Sequence, residues 1–271
     1  DAFYTQGGKV ILPLGTITVE EKQAPQGYLL EGAYLQENNS SQKLTGLYVA
    51  QITESGNTAI LTGANRYSVS DQVIRGGVKI QKRDLETKNA EAQGNATLEN
   101  TKYAIVSLNS NPVVVNGKSY TNGQTVLNIS ANSAGLASTA DNILPFGHYK
   151  MEETNPPTGY LTEGSKAIGF DITENKKIVD LTADAVSMHN KVIRGGVKIQ
   201  KRDAETKETT PQGGATLEST EFAITNLSEH PVFVNNKLYK KGEVVLTLKT
   251  DQNGSVATAN NILPYGHYKI E

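Results

Sequence analysis

The sequence predicts an all-β protein built of tandem β-sandwich domains, and two observations lead to this prediction. The stretch "VIRGGVKIQKRD" begins at residue 73 and occurs again, unchanged, from residue 192, which sets a repeat period of 119 residues. Between the two copies, short runs rich in Val, Ile, Tyr and Thr are separated by turn signals, and no stretch has a sustained helical period. About seven strands in roughly 119 residues is typical of a two-sheet sandwich.

Each run in the complete repeat is predicted to be a strand, and the last run is expected to be a single one. Asn122-Gly123 is a turn signal between two runs, and Asn116-Gly117 is a turn signal within the third run. The runs are, in chain order, "GGVKIQKRD", "TKYAIVSL", "PVVVNGKSY", "QTVLNIS", "GHYKMEE", "KAIGFDIT" and "KKIVDLTADAVSMHN".

Further matches extend the repeat over the whole chain. "DNILPFGHYKME" at 141–152 corresponds to "NNILPYGHYKIE" at 260–271, and "LPLGTITVEEKQAPQGYLLEG" at 12–32 corresponds to "LPFGHYKMEETNPPTGYLTEG" at 144–164. A period this long indicates tandem domains, because solenoid repeats are only about 20–50 residues long.

Three units are therefore expected. Residues 1–72 are predicted to be the C-terminal part of a first domain, residues 73–191 a complete domain, and residues 192–271 the N-terminal part of a third domain. The linkers "QVIRGG" and "KVIRGG" are short, so successive domains are expected to stack end to end with restricted swing. Because residue 1 falls inside a repeat unit, the chain is expected to be an excerpt whose export and anchoring signals lie elsewhere.

The composition excludes several classes of function. With no cysteine among 271 residues, the chain has no disulfide, thiolate nucleophile or cysteine-based zinc site. A net charge of −2 with scattered Lys and Arg argues against a nucleic-acid partner. No apolar run reaches the ~20 residues that span a bilayer, so no membrane insertion is expected. His148, His189, His230 and His267 lack metal-ligand spacing, and "IRGGVK" is not a phosphate-binding loop. We therefore predict no cofactor and no metal.

Three residues fall at set places in the complete unit: Lys82 in the first strand, Glu153 after a strand that begins near Tyr149, and Asn190 at the end. Here the sequence resembles the SpaA/Cna B-type domains of Gram-positive pilins and surface adhesins. That family reads K-x-D, then the E-box Y-x-x-x-E-x-x-x-P-x-G-Y, then a closing Asn or Asp. The matching positions are Lys82, Asp84, Tyr149, Glu153, Pro157, Gly159, Tyr160 and Asn190.

The resemblance implies tandem Cna B-type β-sandwiches, described as immunoglobulin-like or prealbumin-like, each with a spontaneous isopeptide bond. In this chain the bond would join Lys82 to Asn190, with Glu153 as the catalytic acid. The domain would be its own substrate in a single turnover, so the chain is not expected to be an enzyme.

The physical chemistry explains why these residue types are needed. An ammonium cannot attack a carbonyl carbon, and burial disfavours the charged form of an amine or a carboxylic acid. A neutral Glu153 is expected to hydrogen-bond the Asn190 carboxamide, polarise its carbon and shuttle protons while ammonia leaves. Holding the Lys82 amine against the amide supplies the effective concentration that a poor acyl donor requires.

The flanking units carry partial sites. In the first unit Glu21 is the expected catalytic residue and Asp71 the expected cross-linking residue, although Ile17 stands where the E-box has Tyr. Its lysine would lie upstream of residue 1. In the third unit Lys201 is the reactive candidate, and Glu271 aligns with Glu152, one residue short of the catalytic position.

Simpler interpretations exist for the same residues. A lysine in a strand usually faces solvent, as Lys79 and Lys198 are expected to do. The prolines at 156 and 157 with Gly159 also fit an ordinary turn. A Lys–Glu–Asn cluster can also remain an unreacted buried ion pair, although such pairs are poor stabilisers.

The resulting hypothesis is a structural stalk of a Gram-positive cell-surface pilin or adhesin, extracellular and anchored to the cell wall outside this segment. Its expected partners are the neighbouring repeat domains, with a host surface ligand or other pilus subunits as further candidates. The alternative is a module that binds a matrix protein or glycan through the "NPVVVNGKSYTNGQTV" hairpin or through extra residues near "LQENNSSQKLTG". A carbohydrate-active enzyme is not supported, because Glu152 and Glu153 would point to opposite faces of a strand.

Overall fold

The computed structural model describes residues 4–7, 9–19, 21–37, 40–43, 48–56, 68–163 and 165–271. Strands dominate these ranges, and the one helical element in them is the single-turn 3₁₀ helix Asp184–Val186. No helix in the described ranges has the length and apolar character needed to cross a bilayer. The predicted all-β fold class is confirmed.

The segment before residue 73 contains seven described strands in three small sheets. Strands β1 and β2 form one antiparallel pair, β3 and β6 a second, and β4 lies between β5 and β7 in the third. The strands are β1 Tyr4–Gln6, β2 Lys9–Ile11, β3 Gly15–Val19, β4 Tyr28–Glu37, β5 Ser40–Lys43, β6 Tyr48–Ile52 and β7 Ser68–Val73.

The segment from residue 73 to residue 191 contains the most complete sandwich. One sheet has the order β12-β9-β15-β17, and the facing sheet has the order β13-β8-β19-β16, with β14 and β18 also paired to β8. The strands are β8 Arg75–Asp84, β9 Lys102–Ser107, β10 Val113–Val115, β11 Lys118–Tyr120, β12 Thr125–Ser130, β13 Leu136–Ser138, β14 Leu144–Pro145, β15 Gly147–Asn155, β16 Tyr160–Leu161, β17 Ile168–Ile172, β18 Ile178–Leu181 and β19 Met188–Val192.

The core between these sheets follows from the two-residue alternation of strand side chains. In β8 the side chains at 78, 80, 82 and 84 are all buried, whereas those at 79, 81 and 83 reach the surface. β9, β15 and β17 supply the facing apolar side chains. The largest members of this core are Ile80, Tyr103, Ile105, Leu144, Tyr149, Met151, Phe170, Ile172 and Met188.

The run "KKIVDLTADAVSMHN" was expected to be one strand, and this prediction is wrong. It forms β18 and β19, which both pair in parallel with β8 and are separated by the 3₁₀ turn Asp184–Val186. Short polar side chains bond the local backbone here instead of extending the ladder: Thr182 N donates to Asp180 Oδ1 at 2.9 Å, and Ser187 Oγ donates to Asp184 O at 3.0 Å.

The segment from residue 192 repeats the same elements at the same spacing. The β22 to β27 bounds lie 119 residues after those of β9 to β14. β22 is the centre of the order β25-β22-β28, and the other strands form two-stranded pairs. The strands are β20 Arg194–Gly195, β21 Lys198–Gln200, β22 Glu221–Asn226, β23 Val232–Val234, β24 Lys237–Tyr239, β25 Val244–Lys249, β26 Ser255–Ala257, β27 Leu263–Pro264 and β28 Tyr268–Ile270.

Candidate functional site

Three polar side chains meet inside the sandwich of residues 73–191. Lys82 Nζ lies 2.6 Å from Glu153 Oε2 and 2.6 Å from Asn190 Oδ1. Asn190 Nδ2 donates a hydrogen bond of 2.6 Å to Glu153 Oε1. The structure therefore brings together all three residues that the sequence singled out in the complete unit.

The two sheets contribute different members of this triad. Lys82 and Asn190 belong to one sheet, where β8 and β19 run parallel with Met188 opposite Lys82 and Asn190 opposite Asp84. The lysine therefore reaches diagonally along the sheet to the asparagine. Glu153 comes from β15 in the facing sheet, directly opposite Tyr103 of β9. Closing the sandwich is what brings the carboxyl group against the two nitrogens.

The triad is sealed from solvent. Lys82 and Asn190 are fully buried, and the Glu153 side chain is only 1% exposed. Burial lowers the pKa of the Lys82 amine, and the adjacent Glu153 carboxylate opposes that shift without reversing it. Burial thus makes the neutral amine, which is the nucleophilic form, easier to reach than it is for a lysine in water.

The neighbouring glutamate shows how specific this placement is. Glu152 points away from the core, with a side chain that is 40% exposed and paired with Lys150. Because successive side chains of a strand point to opposite faces, only Glu153 enters the sandwich. Lys79 likewise lies at the surface, where it pairs with Asp180 at 2.9 Å, and Lys198 is exposed.

The arrangement assigns a different contact to each oxygen of Glu153. Oε2 faces the lysine nitrogen, and Oε1 faces the carboxamide nitrogen of Asn190. The expected bond, in which a neutral acid donates to the carboxamide and polarises its carbon, is not the one seen: Glu153 Oε1 accepts from the amide nitrogen, and the carbonyl oxygen of Asn190 accepts from Lys82. One carboxyl group thus contacts both the amine nitrogen of Lys82 and the carboxamide nitrogen of Asn190.

A second buried polar cluster adjoins the triad, and its roles were not predicted from the sequence. Asp84 Oδ2 accepts hydrogen bonds from Tyr160 Oη at 2.9 Å and from Gln93 Nε2 at 3.0 Å. Burial, and then the Asp84 carboxylate, raise the pKa of Tyr160. The motif spacing named Asp84 and Tyr160, but Gln93 lies in a loop without any periodic signal.

Tyr103 is a further residue that the sequence analysis missed. Its ring is fully buried opposite Glu153, and burial followed by the Glu153 charge raises the pKa of its hydroxyl. The Tyr103 hydroxyl has no hydrogen-bond partner within the part of the chain that the structure describes. The one sequence signal for Tyr103 was the two-residue alternation of the predicted strand "TKYAIVSL", which indicates a side chain that faces the core.

The first-segment residues Glu21 and Asp71 also lie together. Burial and the hydrogen-bonded Asp71 carboxyl raise the pKa of Glu21. Among the described residues, Glu21 Oε2 and Asp71 Oδ1 are buried without a hydrogen-bond partner. Two carboxyl groups in contact favour one neutral member. The catalytic role of Glu21 and the cross-linking role of Asp71 stay predictions.

The third-segment candidate Lys201 is placed differently from Lys82. It lies just after β21 and is exposed, and its Nζ has no hydrogen bond or ion pair to any described residue. Its cross-linking role stays a prediction.

Two stretches were proposed as the alternative ligand-binding site. The stretch at 35–46 lies partly outside the described residues. The other contains the β10–β11 hairpin, which turns at Asn116 and Gly117 with φ of 50° and 75°.

Comparison with solved structures gives three examples of similar chains. The Bacillus anthracis TIE protein is 20% identical, with 95% of this chain and 45% of that chain covered and a TM-score of 0.46. A streptococcal ancillary pilin is 18% identical, with coverages of 96% and 66% and a TM-score of 0.33. The shaft pilin spaA from Lactobacillus rhamnosus GG is 15% identical, with coverages of 70% and 85% and a TM-score of 0.30.

This chain therefore spans less than half of the TIE protein and about two thirds of the ancillary pilin. No curated protein sequence matches it. Among family models, the one described as the SpaA prealbumin-like fold domain matches residues 76–186, the range that holds Lys82, Glu153 and most of the two-sheet sandwich. The resemblance noted from the K-x-D and E-box motifs is confirmed over residues 76–186, which match the SpaA prealbumin-like fold domain.

Proposed function

We propose that Lys82 and Asn190 form an intramolecular isopeptide bond with Glu153 as the acid–base catalyst, and that the chain is part of the stalk of a Gram-positive surface pilin or adhesin. The observation that carries the proposal is the closed triangle of 2.6 Å contacts among these three side chains.

The reaction uses only groups present in the triad. The neutral amine of Lys82 attacks Cγ of Asn190, so a C–N bond forms and the carbonyl becomes a tetrahedral centre. Glu153 takes one proton from Nζ through Oε2 and delivers one to Nδ2 through Oε1. The Cγ–Nδ2 bond then breaks and ammonia leaves. Glu153 ends in the protonation state in which it began, and no other reactant is required.

Two physical effects supply the rate. Fixing amine and amide in contact replaces a bimolecular encounter, and well-oriented intramolecular reactions reach effective molarities of about 10⁵–10⁸ M. Burial removes water that would otherwise protonate the amine and solvate the carboxyl group. The lowered pKa of Lys82 agrees with this requirement.

The stalk role follows from where the bond would lie. β8 opens the sandwich and β19 closes it, and they are adjacent in one sheet. A covalent bond between them would carry a pulling force past the strands in between, whose hydrogen bonds contribute only about 0.5–1.5 kcal/mol each. The proposed site of action is the extracellular face of the cell wall, with neighbouring repeat domains and other pilus subunits as partners.

Intact mass spectrometry of the full chain tests the bond. We expect a mass lower by one ammonia than the sequence mass, and the full sequence mass in Lys82→Ala and Glu153→Gln. Glu152→Gln is the matched control, because it makes the same chemical change one residue away on the exposed face. Full sequence mass in the unmutated protein, or an unchanged mass deficit in Glu153→Gln, would reject the mechanism.

A further inference from the structure

The loop that follows β8, residues 84–95, contacts the segment that begins at residue 192. We call it the joint loop. Its carboxylate Asp84 holds the loop in shape: Oδ1 accepts from Glu86 N at 2.9 Å and Thr87 N at 2.8 Å, and Oδ2 accepts from Gln93 Nε2 at 3.0 Å. Gln93 Nε2 also donates to Glu86 Oε2 at 2.8 Å. These bonds present Glu86 and Gln93 together.

The linker arginine Arg194 meets this surface. Its Nε donates to Glu86 Oε1 at 3.1 Å and its Nη2 to Glu86 Oε2 at 2.5 Å, the bidentate geometry that is strongest between guanidinium and carboxylate. The remaining donors reach carbonyl oxygens of the following segment, Ile262 O at 2.6 Å and Phe233 O at 2.7 Å. One partly buried side chain thus ties the loop, the linker and the next sheet together.

Backbone contacts complete the joint. Gln93 Oε1 accepts from Phe233 N at 2.9 Å, and Gly94 exchanges two bonds with the next segment, donating to Pro231 O at 3.1 Å and accepting from His230 N at 2.9 Å. Gly94 has a φ of 62°, and a Cβ there would lie 2.1 Å from Tyr265 O. The fit is close enough to exclude any side chain.

The third segment carries the same loop without a partner. Asp203 Oδ1 accepts from Glu205 N at 3.0 Å and Thr206 N at 2.9 Å, and Gln212 Nε2 contacts Asp203 at 2.9 Å and Glu205 at 3.2 Å. Glu205 and Gln212 are exposed, and no described arginine pairs with Glu205. The loop therefore takes this shape without a linker arginine bound to it.

Arg75, the counterpart of Arg194 in the preceding linker, shows that the arginine side is also preformed. It donates to Ile143 O at 2.9 Å and Val114 O at 3.0 Å, the positions equivalent to Ile262 and Phe233. It makes no ion pair to a carboxylate within the described residues. The linker arginine is therefore held by the unit that follows it in the chain, in a position to contact the unit that precedes it.

We propose that the joint loop is a recognition surface for the linker arginine of the following unit, and that Glu86 and Gln93, by binding Arg194 and Phe233, fix the orientation of that unit. The partner is a β-domain that carries a V-I-R-G-G linker. None of these residues belongs to the Lys82–Glu153–Asn190 triad, so the proposal stands apart from the cross-link.

Double electron–electron resonance on the full chain tests it. The sequence has no cysteine, so Asn128→Cys and Thr247→Cys, exposed equivalents on β12 and β25, are the only labelling sites. We expect one narrow distance distribution in the parent protein. Glu86→Ala should lose that single narrow peak, because the guanidinium loses its bidentate partner, whereas Glu205→Ala should keep it.

A second matched pair of variants distinguishes loss of the contact between the units from the strain of placing a side chain at positive φ. Gly94→Ala and Gly213→Ala place a side chain at similar positive φ, 62° and 56°, but only residue 94 faces a neighbour. We expect loss of the narrow peak in Gly94→Ala alone. A broad distribution in the parent, retention of the narrow peak in both Glu86→Ala and Gly94→Ala, or equal broadening in the controls would overturn the proposal. The intact mass of each variant reports separately on the cross-link.

Discussion

Lys82 Nζ and Asn190 Oδ1 lie 2.6 Å apart although 108 residues separate them in the sequence. The contact joins β8, the first long strand of the sandwich, to β19, its last strand, and these two strands are neighbours that run parallel. Because Lys82 lies near the N-terminal end of the unit and Asn190 near its C-terminal end, a bond between them would enclose nearly all of the sandwich. The mechanical and thermodynamic consequences both follow from this enclosure.

Single-molecule pulling between the chain ends should show the enclosed segment directly. In Lys82→Ala the 108 residues between the two positions become extensible, which adds roughly 360–390 Å of contour length at about 3.3–3.6 Å per residue. In the parent protein that increment should be missing. Lys79→Ala, on the exposed face of the same strand, is the control and should behave as the parent does. The same added length in parent and Lys82→Ala would contradict the cross-link.

Asn190→Asp should retain the bond but lose water in place of ammonia. An Asp at this position would place a carboxyl group against Glu153, as Asp71 is placed against Glu21 in the first segment, where the contact helps to raise the pKa of Glu21. A neutral acid in such a pair can donate a proton to the leaving oxygen. Intact mass spectrometry should find the variant lighter than its own sequence mass by one water.

Asn190→Ala has no carboxamide or carboxyl group to react, so it is the negative control for the mass measurement on Asn190→Asp and should have its full sequence mass. It should also lower the free energy of unfolding by about 4–5 kcal/mol, the loop-closure value for a cross-link that encloses about 100 residues. Urea unfolding measures this difference. A denaturation midpoint in Asn190→Ala equal to that of the parent would count against a covalent bond.

The residues of the triad could be predicted because strand alternation and motif spacing can both be recognised in the sequence itself. Val78, Ile80 and Lys82 share one face of β8, which agrees with a buried lysine, but a lysine in a strand usually faces solvent. The resemblance to the SpaA/Cna B-type motifs was needed to single out Lys82. The break between β18 and β19 was missed, because the side chains of Thr182 and Ser187 bond backbone or nearby groups in a way that an apolar pattern does not reveal.

The joint was beyond sequence reasoning for a different reason. Arg194 and Glu86 are 108 residues apart, and neither has periodic neighbours that indicate burial. The short linker predicted restricted swing, but the residues responsible emerge only when the loop and the next sheet are seen together. Contacts of this kind depend on tertiary structure rather than on local pattern.

The lowered pKa of Lys82 predicts a pH dependence in the unreacted state. In Asn190→Ala the folded amine should release its proton below the ordinary value of 10.5, so the unfolded chain binds more protons between the two values. The free energy of unfolding should therefore rise with pH between the lowered pKa of Lys82 in the folded state and 10.5, its pKa in the unfolded state. Below the folded-state pKa, the protein should be less stable than at pH 10.5 by this contribution. Urea unfolding at several pH values measures the slope.

The control for this slope is the double variant Lys82→Met/Asn190→Ala, which has no amine to titrate. Buried tyrosines contribute the opposite sign, since burial raises the pKa of Tyr149 to about 12 and folding then loses stability as pH rises. That contribution is common to both variants and cancels in their difference. A pH-independent difference between them would show that Lys82 is not buried as an amine.

Asp84→Ala should open the joint loop far more than Asp203→Ala opens its counterpart. Both carboxylates accept bonds from two backbone amides and a glutamine, but Asp84 is fully buried and also accepts from Tyr160 Oη at 2.9 Å. Removing it leaves the buried Tyr160 hydroxyl without its acceptor, at a cost of about 1–3 kcal/mol. It also takes away one of the two acceptors of Gln93 Nε2, which keeps its bond to Glu86 Oε2 at 2.8 Å. At Asp203 water can replace the lost oxygen. Hydrogen exchange followed by mass spectrometry should show faster exchange across residues 84–95 in Asp84→Ala, reaching residues 230–233 through Gln93 and Gly94. In Asp203→Ala the change should stay within residues 203–214, and spread into the neighbouring sheet there would contradict the proposed difference.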